Sequence, residues 1–512
     1  SSGRVQTPVL RLIVDREKER RAFKPEKYWE LKALLEKDRQ KFEAMHKTGR
    51  FKSEEEAKKA QEAAEKTDKA IVKNVKSTKR KIAKPVPFNT TEFLRAATAI
   101  GMTAGDAMNT AESLYQMGLT SYPRTDNTVY PINLNLQEIL SELLNSPELS
   151  KDVQKVLALG KIEPSHGKET KDHPPIHPVS VPKKGQLNPK QWKVYELIAR
   201  RFLATLSEDA ETLNLSVDFD INGEPFLANG QAITKKGWKE VYPYSALKET
   251  LLPKLNEGDI AKLLNLDLLG KETQPPPRYS QGALIKLMES RGLGTKSTRH
   301  EILQKLLARH YIFGTKAIEP NEIAFAVVDS LDKYCERITK PEMTAETENE
   351  MDLIAAGKRQ KEDVVSGSRK LLSELLEDLL KNKNEIGSEL RKALRADKVI
   401  GKCDLCAGNL VIRKGRSGKR FLGCSNYPKC TNTFPLPQKG SVSPGSALCK
   451  TCGKATVKVV GGRYRYEMCV DMNCKSKDEW KKKNNYKNSN NGKDAETPAE
   501  PKAENAEKAE KK

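Results

Sequence analysis

Gly118-Leu-Thr-Ser-Tyr-Pro-Arg-Thr-Asp126 sets a tyrosine and an arginine two residues apart, directly behind a long helical pattern. Upstream, Phe93, Ala97, Ile100, Ala104, Ala107, Met108, Ala111 and Leu114 recur at three and four residues. That spacing, opened by Asn89-Thr-Thr-Glu92, predicts one helix of about 25 residues with a single apolar face. Gly118 is a natural stop for it, so Tyr122 is expected in a loop or short strand, where its side chain can point into a cleft. A tyrosine hydroxyl ionises near ~10 and needs neighbouring positive charge or proton removal to act as a nucleophile. Tyr122 and Arg124 are thus a candidate nucleophile and phosphate clamp for attack on a phosphodiester.

The rest of the chain favours a polyanion partner. Its 512 residues carry a formal net charge of +22, and each lysine or arginine that meets a phosphate releases counterions. The length predicts three to four domains on a prior of roughly 100 to 200 residues each. No run of about 18 apolar residues predicts a membrane span, and a cytoplasmic, chromosome-associated location is expected.

Between Tyr28 and His46 the pattern fits either helix or strand, and Ser53 to Lys69 reads as a solvated helix with a capping box. Residues 190 to 205 read as a helix whose Arg200-Arg201 pair could face nucleic acid. Leu213, Leu215, Val217, Phe219 and Ile221 alternate strictly before Asn222-Gly223, the pattern of a strand entering a tight hairpin; Asp218 and Asp220 share its solvated face. Gln274-Pro-Pro-Pro277 precedes a helix from Ser280 to Ser290. After a Gly292-Leu-Gly294 turn, Thr298-Arg-His-Glu301 predicts a capping box and a helix through Leu307. Gly294-Thr-Lys-Ser297 lacks the glycine that a phosphate-binding loop places before its lysine, so no nucleotide site is assigned. Charge-rich helices from Asn349 to Arg395 are expected to close the core.

Eight of the nine cysteines follow residue 400, in pairs. Cys403-x2-Cys406 and Cys424-x5-Cys430 form one set, and Cys449-x2-Cys452 and Cys469-x4-Cys474 repeat the design. Four soft ligands arranged this way predict two zinc sites. Between the ligands, Arg413, Lys414, Arg416, Lys419, Arg420 and Phe421, then Lys458, Arg463, Tyr464, Arg465 and Tyr466, interleave charge with rings in a manner suited to single strands. Cys335 stands apart and reads as a small apolar residue.

The Tyr122 segment resembles the active-site motif of type IA DNA topoisomerases. Three further segments share that resemblance: Ser1-Ser-Gly-Arg-Val-Gln-Thr-Pro8, His173-Pro-Pro-Ile-His-Pro178, and Arg278-Tyr-Ser-Gln-Gly-Ala-Leu-Ile-Lys-Leu-Met-Glu289 with Gly292-Leu-Gly-Thr-Lys-Ser-Thr298. Gly423-Cys-Ser-Asn-Tyr-Pro-Lys-Cys430 is similar to the zinc ribbons that follow such cores. The resemblance implies a multidomain α+β fold, a mostly helical toroidal core with a β-rich arch followed by two zinc ribbons. Residues 1–17 would begin the helical gate-base domain, 18–84 and 208–278 would form the arch, 85–207 the helical domain carrying the tyrosine, and 279–398 the helical domain closing the core. The ribbons would occupy 399–437 and 445–478, and 479–512 would be a disordered basic tail.

It further implies an ATP-independent enzyme in which Tyr122 holds a cleaved DNA strand as a 5′-phosphotyrosine while another strand passes. Arg124 assists, and Arg4, His173 and Arg299 contact DNA that is single-stranded or underwound. His177 stands where the family carries arginine. The family's magnesium is held by an acidic Toprim domain that would precede Ser1, so the chain is expected to be the C-terminal portion of a truncated or split enzyme, with a separate Toprim-containing chain as a possible partner. The alternatives are a non-catalytic DNA-binding protein that keeps the same architecture, the topoisomerase part of a reverse gyrase, and a zinc-ribbon transcription or RNA-binding factor.

Overall fold

A computed structural model describes residues 3–171, 173–245, 247–396, 399–461 and 465–478. The expected tail, 479–512, and the expected contact residues Arg463 and Tyr464 lie outside them. The chain forms two compact units, residues 1–390 and 391–512.

The first unit begins with α1 (Gln6–Ala22), β1 (Lys27–Lys37), β2 (Gln40–His46), α2 (Glu54–Ala64) and β3 (Lys69–Ile82). Five helices follow: α3 (Thr90–Ala99), α4 (Ala104–Gln116), α5 (Leu136–Leu143), α6 (Ser150–Leu157) and α7 (Pro189–Leu206). The chain then returns to strands β4 (Ala210–Ile221), β5 (Glu224–Lys235) and β6 (Ile260–Glu272). Next come α8 (Gln281–Ser290), α9 (Arg299–Ala308), the short pair β7 (Ile312–Phe313) and β8 (Glu319–Pro320), and α10 (Glu322–Tyr334). Last in this series are α11 (Pro341–Ala355), α12 (Lys361–Lys381) and α13 (Lys383–Ala396).

The six long strands close into an antiparallel barrel in the order β1-β2-β5-β4-β3-β6. Alternation puts Leu31, Ala33, Leu35, Phe42, Val217, Phe219, Ile221, Phe226 and Ala228 inside, because successive side chains point to opposite faces of a strand. Asn222 and Gly223, at φ 54° and 86°, make the tight β4–β5 turn. The helix at α2 is not solvated all round: Ala57, Ala60 and Ala64 are buried in the barrel core, where only small side chains bring a helix so close. Ser53 caps it by accepting from the Glu55 amide.

A second, larger core joins α1 and α3 through α10. The predicted 25-residue helix is two helices. Gly101, at φ 92°, breaks the pattern, and the Thr103 hydroxyl accepts the Asp106 amide to start α4; the apolar periodicity runs through the break because both helices face one core. The capping box at Thr298 does not form. Its hydroxyl accepts the Thr295 amide at 3.0 Å, holding the loop ahead of α9. Arg200 and Arg201 do not face outward either: Arg200 binds Asp152 and Glu196 at 2.6 and 2.7 Å, and Arg201 donates to the Val86 carbonyl and lies over the Phe88 ring. Of α12 only Leu375 is buried, while Leu372, Leu376 and Leu380 are exposed; Leu375 joins Leu331, Cys335 and Ile338 in a small separate cluster against which Leu371 and Leu379 pack.

The second unit carries a four-stranded sheet, β9 (Val399–Lys402), β10 (Asn409–Lys414), β11 (Arg420–Cys424) and β12 (Thr433–Pro435), and a three-stranded one, β13 (Ser441–Pro444), β14 (Thr456–Val460) and β15 (Arg465–Cys469). Ile400, Leu410, Leu422 and Phe434 from the first pack with Ala455, Val457, Val459 and Val470 from the second in one core.

Helix α8 crosses α3 closely at Gly282, where an added Cβ would lie 2.5 Å from Thr98 Oγ1 and 3.1 Å from Arg95 Cα. Gly282→Ala is expected to destabilise the helical core by about 1–3 kcal/mol through overpacking. A lowered midpoint in thermal unfolding checks this, and an unchanged midpoint would show that α3 gives way freely.

Candidate active site and metal centres

Gly118, at φ 71°, ends α4 and turns the chain into an irregular segment fixed on both sides of Tyr122. Before it, the Ser121 amide donates to the His177 carbonyl at 2.9 Å, the Ser121 hydroxyl donates to the Pro175 carbonyl at 3.1 Å, and the His177 amide donates back to that hydroxyl at 3.0 Å. After it, the Thr125 hydroxyl donates to the His173 carbonyl at 2.6 Å. The hydroxyl of Thr90, at the start of α3, accepts from the Thr125 amide and donates to the Pro123 carbonyl. Two motifs some fifty residues apart in sequence thus form one backbone lattice, with Tyr122 between its knots.

The Tyr122 ring is half-buried and stands edge-on to two neighbours, Tyr115 at 5.2 Å and His173 at 4.8 Å between centroids. His173 is exposed. His177 is turned away: it is buried, with Nδ1 2.7 Å from the Pro175 carbonyl, and burial pushes its imidazole below the ordinary range.

Arg124 lies beside Tyr122 but is already engaged. Its Nε and Nη2 donate to Glu112 Oε1 at 2.7 and 2.6 Å, and Nη1 reaches the Ser297 carbonyl at 3.4 Å and Glu301 at 4.0 Å. Glu112 is a neighbour of the candidate site that the sequence reading missed; α4 also carries Asp106, Asn109 and Gln116, so no local signal singles it out. The α9 start also brings Lys296 to 3.9 Å from Asp126. It carries His300 too, which is buried with Nδ1 lacking a hydrogen-bond partner among the described residues. Burial, and then repulsion from Arg124, push the His300 imidazole down against the pull of Glu301 and Glu112.

The other expected contact residues sit differently. Arg299 is 9 % exposed, with Nη1 3.4 Å from Thr91 Oγ1 and 3.5 Å from Glu289, so it ties α9 to α3 and α8. Arg4 is half-exposed, paired with Glu348 at 3.0 Å, and lines a cavity of about 350 Å³ with Gly294, Thr295, Thr298 and Glu301. Arg278, from the same motif as α8, makes a bidentate pair with Glu17 at 2.7 and 2.8 Å and binds Glu319 at 2.8 Å, fastening α1 to the segment around β8.

In the second unit the eight late cysteines converge as two tetrads, Cys403, Cys406, Cys424 and Cys430, and Cys449, Cys452, Cys469 and Cys474, with all sulfurs of a set within 4.8 Å of one another. Sulfur pairs stand 3.8 and 3.3 Å apart in the first and 3.7 and 3.4 Å in the second. A tetrahedron of sulfurs about 2.3 Å from zinc has edges of about 3.8 Å, so both sets fit that ion. Amide donors complete the first set: Asn432 Nδ2 reaches Cys403 Sγ at 3.2 Å and the Gly408 amide reaches Cys406 Sγ at 3.3 Å. Burial would raise the Cys403 thiol, but donors from Asn432, Leu405 and Cys406 outweigh it and bring it to about 6. Lys454 Nζ joins the two modules, 3.1 Å from Asp404 and 2.7 Å from Asp471.

The profile of the family described as DNA topoisomerase matches residues 1–366, and that described as the topoisomerase DNA-binding C4 zinc finger matches residues 400–439. The chain is 48% identical over 460 residues to DNA topoisomerase 1 of Archaeoglobus fulgidus, covering 90% of this chain and 67% of that protein. It is 36% identical to DNA topoisomerase 1 of Thermoplasma acidophilum, covering 93% and 72%. It is 30% identical to human DNA topoisomerase 3-beta-1, covering 86% and 52%. Among solved structures, full-length topoisomerase I from Thermotoga maritima superposes with a TM-score of 0.60 at 24% identity, covering 88% of this chain and 72% of that one, a likeness of fold.

Two outcomes are expected from this geometry. Purified protein should hold about two zinc ions, one per tetrad, and Cys424→Ser should lose one of them by elemental analysis. His177 and His300 have folded-state pKa values below the ordinary 6.5, so the unfolded chain takes protons first and stability is lost as pH falls through and below about 6.5. The thermal midpoint should therefore drop on acidification from pH 7.5 to 5.5, and His300→Leu should flatten the drop.

Proposed function

The chain belongs to the type IA DNA topoisomerase family, and from that premise we propose that Tyr122 is the nucleophile of a reversible strand cleavage. Its oxygen attacks a phosphodiester phosphorus, the bond to the 3′ oxygen breaks, and the enzyme keeps the 5′ end as a phosphotyrosine. After another strand has passed, the 3′ hydroxyl attacks the same phosphorus and releases the tyrosine. One phosphate ester replaces another in each step, so the bond energy is conserved and no nucleotide is consumed. The observation that carries this reading is the lattice of Ser121, Thr125 and Thr90 with residues 173–177, which fixes the backbone around Tyr122 and sets its ring against His173.

Arg124 supplies the positive charge that a phosphorane needs. Glu112 holds Nε and Nη2, which leaves for an arriving phosphate the Nη1 edge, where the Ser297 carbonyl now stands at 3.4 Å. His173, exposed beside the ring, is placed as a further phosphate or base contact. Arg4 and Arg299 act as DNA contacts only when Glu348 and Glu289 release them.

A preference for single-stranded or underwound DNA follows from the rings at these sites. Tyr115 is 45 % exposed next to Tyr122, and Tyr427 is 63 % exposed on the first zinc module, 6.0 Å from the Arg413 guanidinium. Exposed rings beside cations stack unpaired bases. Arg420 is committed elsewhere, to the carbonyls of Pro437 and Lys439. Among the described residues the clusters able to hold a metal are the two cysteine tetrads, whose thiolates suit zinc and not magnesium. We assign magnesium to a Toprim domain, in the same polypeptide or in a separate chain. No helix among the described residues is long and apolar enough to cross a membrane, which accords with a nucleoid-associated location.

The test is covalent capture of an end-labelled single strand in magnesium, with a Toprim domain added to the mixture. Tyr122→Phe is expected to abolish the adduct while changing affinity by no more than about fivefold, the worth of one hydrogen bond near 1 kcal/mol. An adduct that persists in the phenylalanine variant would remove Tyr122 from the reaction.

A further inference from the structure

Strand β3 has a charge pattern that neither the active site nor the zinc modules use. Its fourteen residues hold six cations, Lys69, Lys73, Lys76, Lys79, Arg80 and Lys81, and no acid. It pairs with β6 only over Lys69–Ile71. From Asn74 to Ile82 it pairs with β4 alone, so among the described residues one edge of this stretch faces no strand. Every residue from Lys76 to Lys81 is exposed.

Several of the barrel's other cations are paired. Lys32 binds Glu43 at 3.0 Å, Lys37 binds Asp259 at 2.8 Å, and Lys47 binds Asp218 at 2.8 Å. Lys73 stands 3.9 Å from Asp220. By contrast, no acidic side chain among the described residues lies within ion-pair distance of Lys76, Lys79, Arg80 or Lys81. Lysine on a strand edge also guards against edge-to-edge pairing. A guard needs only one or two charges, however, and here they occupy both faces, Lys79 and Lys81 on one, Lys76 and Arg80 on the other.

We propose that this far half of β3 is a docking rail for the sugar–phosphate backbone of duplex DNA, separate from the site at Tyr122. From Lys76 to Lys81 the strand rises about 17 Å, a length over which one strand of a duplex presents about five phosphates. The surface carries nothing for bases: residues 73–82, 210–216 and 229–235, which make up this three-stranded stretch, include no Phe, Tyr, Trp or His. Binding of single strands draws on stacking as well as charge, whereas backbone contact with a duplex needs charge alone. The rail is the exposed end of a barrel strand, while Tyr122 belongs to the helical segment that follows it, and we assign to the rail a double-stranded part of the DNA that is not being cleaved. The proposal rests on the family's action on DNA and not on the role of Tyr122.

The experiment measures affinity of the full chain for a labelled duplex and a single strand across a salt series, for wild type and for Lys76→Gln, Lys79→Gln, Arg80→Gln and Lys81→Gln combined. Glutamine keeps the edge polar, and circular dichroism reports folding. With four cations fewer to neutralise phosphates, the slope of log affinity against log salt for the duplex should shrink by about 3 to 4, and the single-strand slope should stay near the wild-type value. A control removing four exposed cations of α12 (Lys361, Arg369, Lys370 and Lys381) should leave both slopes unchanged. An unchanged duplex slope in the β3 variant, an equal loss on single strands, or an equal loss in the control would each overturn the proposal. Should the quadruple variant fail to fold, Lys76→Gln with Lys79→Gln serves instead, with about half the slope change expected. Covalent capture through Tyr122 is read separately, so loss of the adduct with an intact duplex slope bears on the nucleophile and not on the rail.

Discussion

Everything that positions Tyr122 depends on a few hydroxyl-to-backbone hydrogen bonds. The segment around Tyr122 has no helix or ladder of its own, so its amides and carbonyls need partners, and Ser121, Thr125 and Thr90 provide them from a distance. Each such bond is worth only about 1 kcal/mol net, but a buried group left without one costs about 1–3 kcal/mol. The lattice is therefore close to all-or-none. It also explains why Thr90 and Thr125 are fully buried although both are polar: a hydroxyl that serves two backbone groups at once is satisfied without water.

Much of this was legible in the sequence because the signals are local. Gly118 as a helix stop, Asn222-Gly223 as a tight turn and the cysteine spacing are all decided by residues a few positions apart, and each appears where chemistry puts it. What was missed depends on neighbours remote in the chain. Arg200 and Arg201 read as an exposed cationic pair, yet Asp152 and the Phe88 ring, which belong to other elements, hold them in. The break at Gly101 was hidden because both helix halves face the same core, leaving the periodicity uninterrupted. The grip of Glu112 on Arg124 spans twelve residues and a chain reversal, and the alanine stripe of α2 fits a barrel that periodicity within α2 cannot reveal.

The zinc modules show a similar division. Ligand spacing marks two separate sites, but the folded unit is continuous. Val457 and Val459 of the second module pack with Leu410 and Leu422 of the first, and Lys454 answers Asp404 from one module and Asp471 from the other. A small β module has little apolar surface to bury alone, so sharing a core lets two metal clips brace one hydrophobic interior.

The placement of the helical segment between β3 and β4 has another meaning. Ile82 and Ala210, the residues at its two ends, are directly paired in the barrel, and Trp238 Nε1 donates to the Ile82 carbonyl at 3.1 Å to fasten that junction. The segment is thus a handle whose two feet stand side by side, about 5 Å apart as cross-strand partners are. A short hairpin could bridge the same gap, so the barrel does not require the helical segment in order to close. In evolutionary terms the barrel is a socket, and the piece bearing the tyrosine is a part that could be inherited, enlarged or exchanged while its mounting stayed the same.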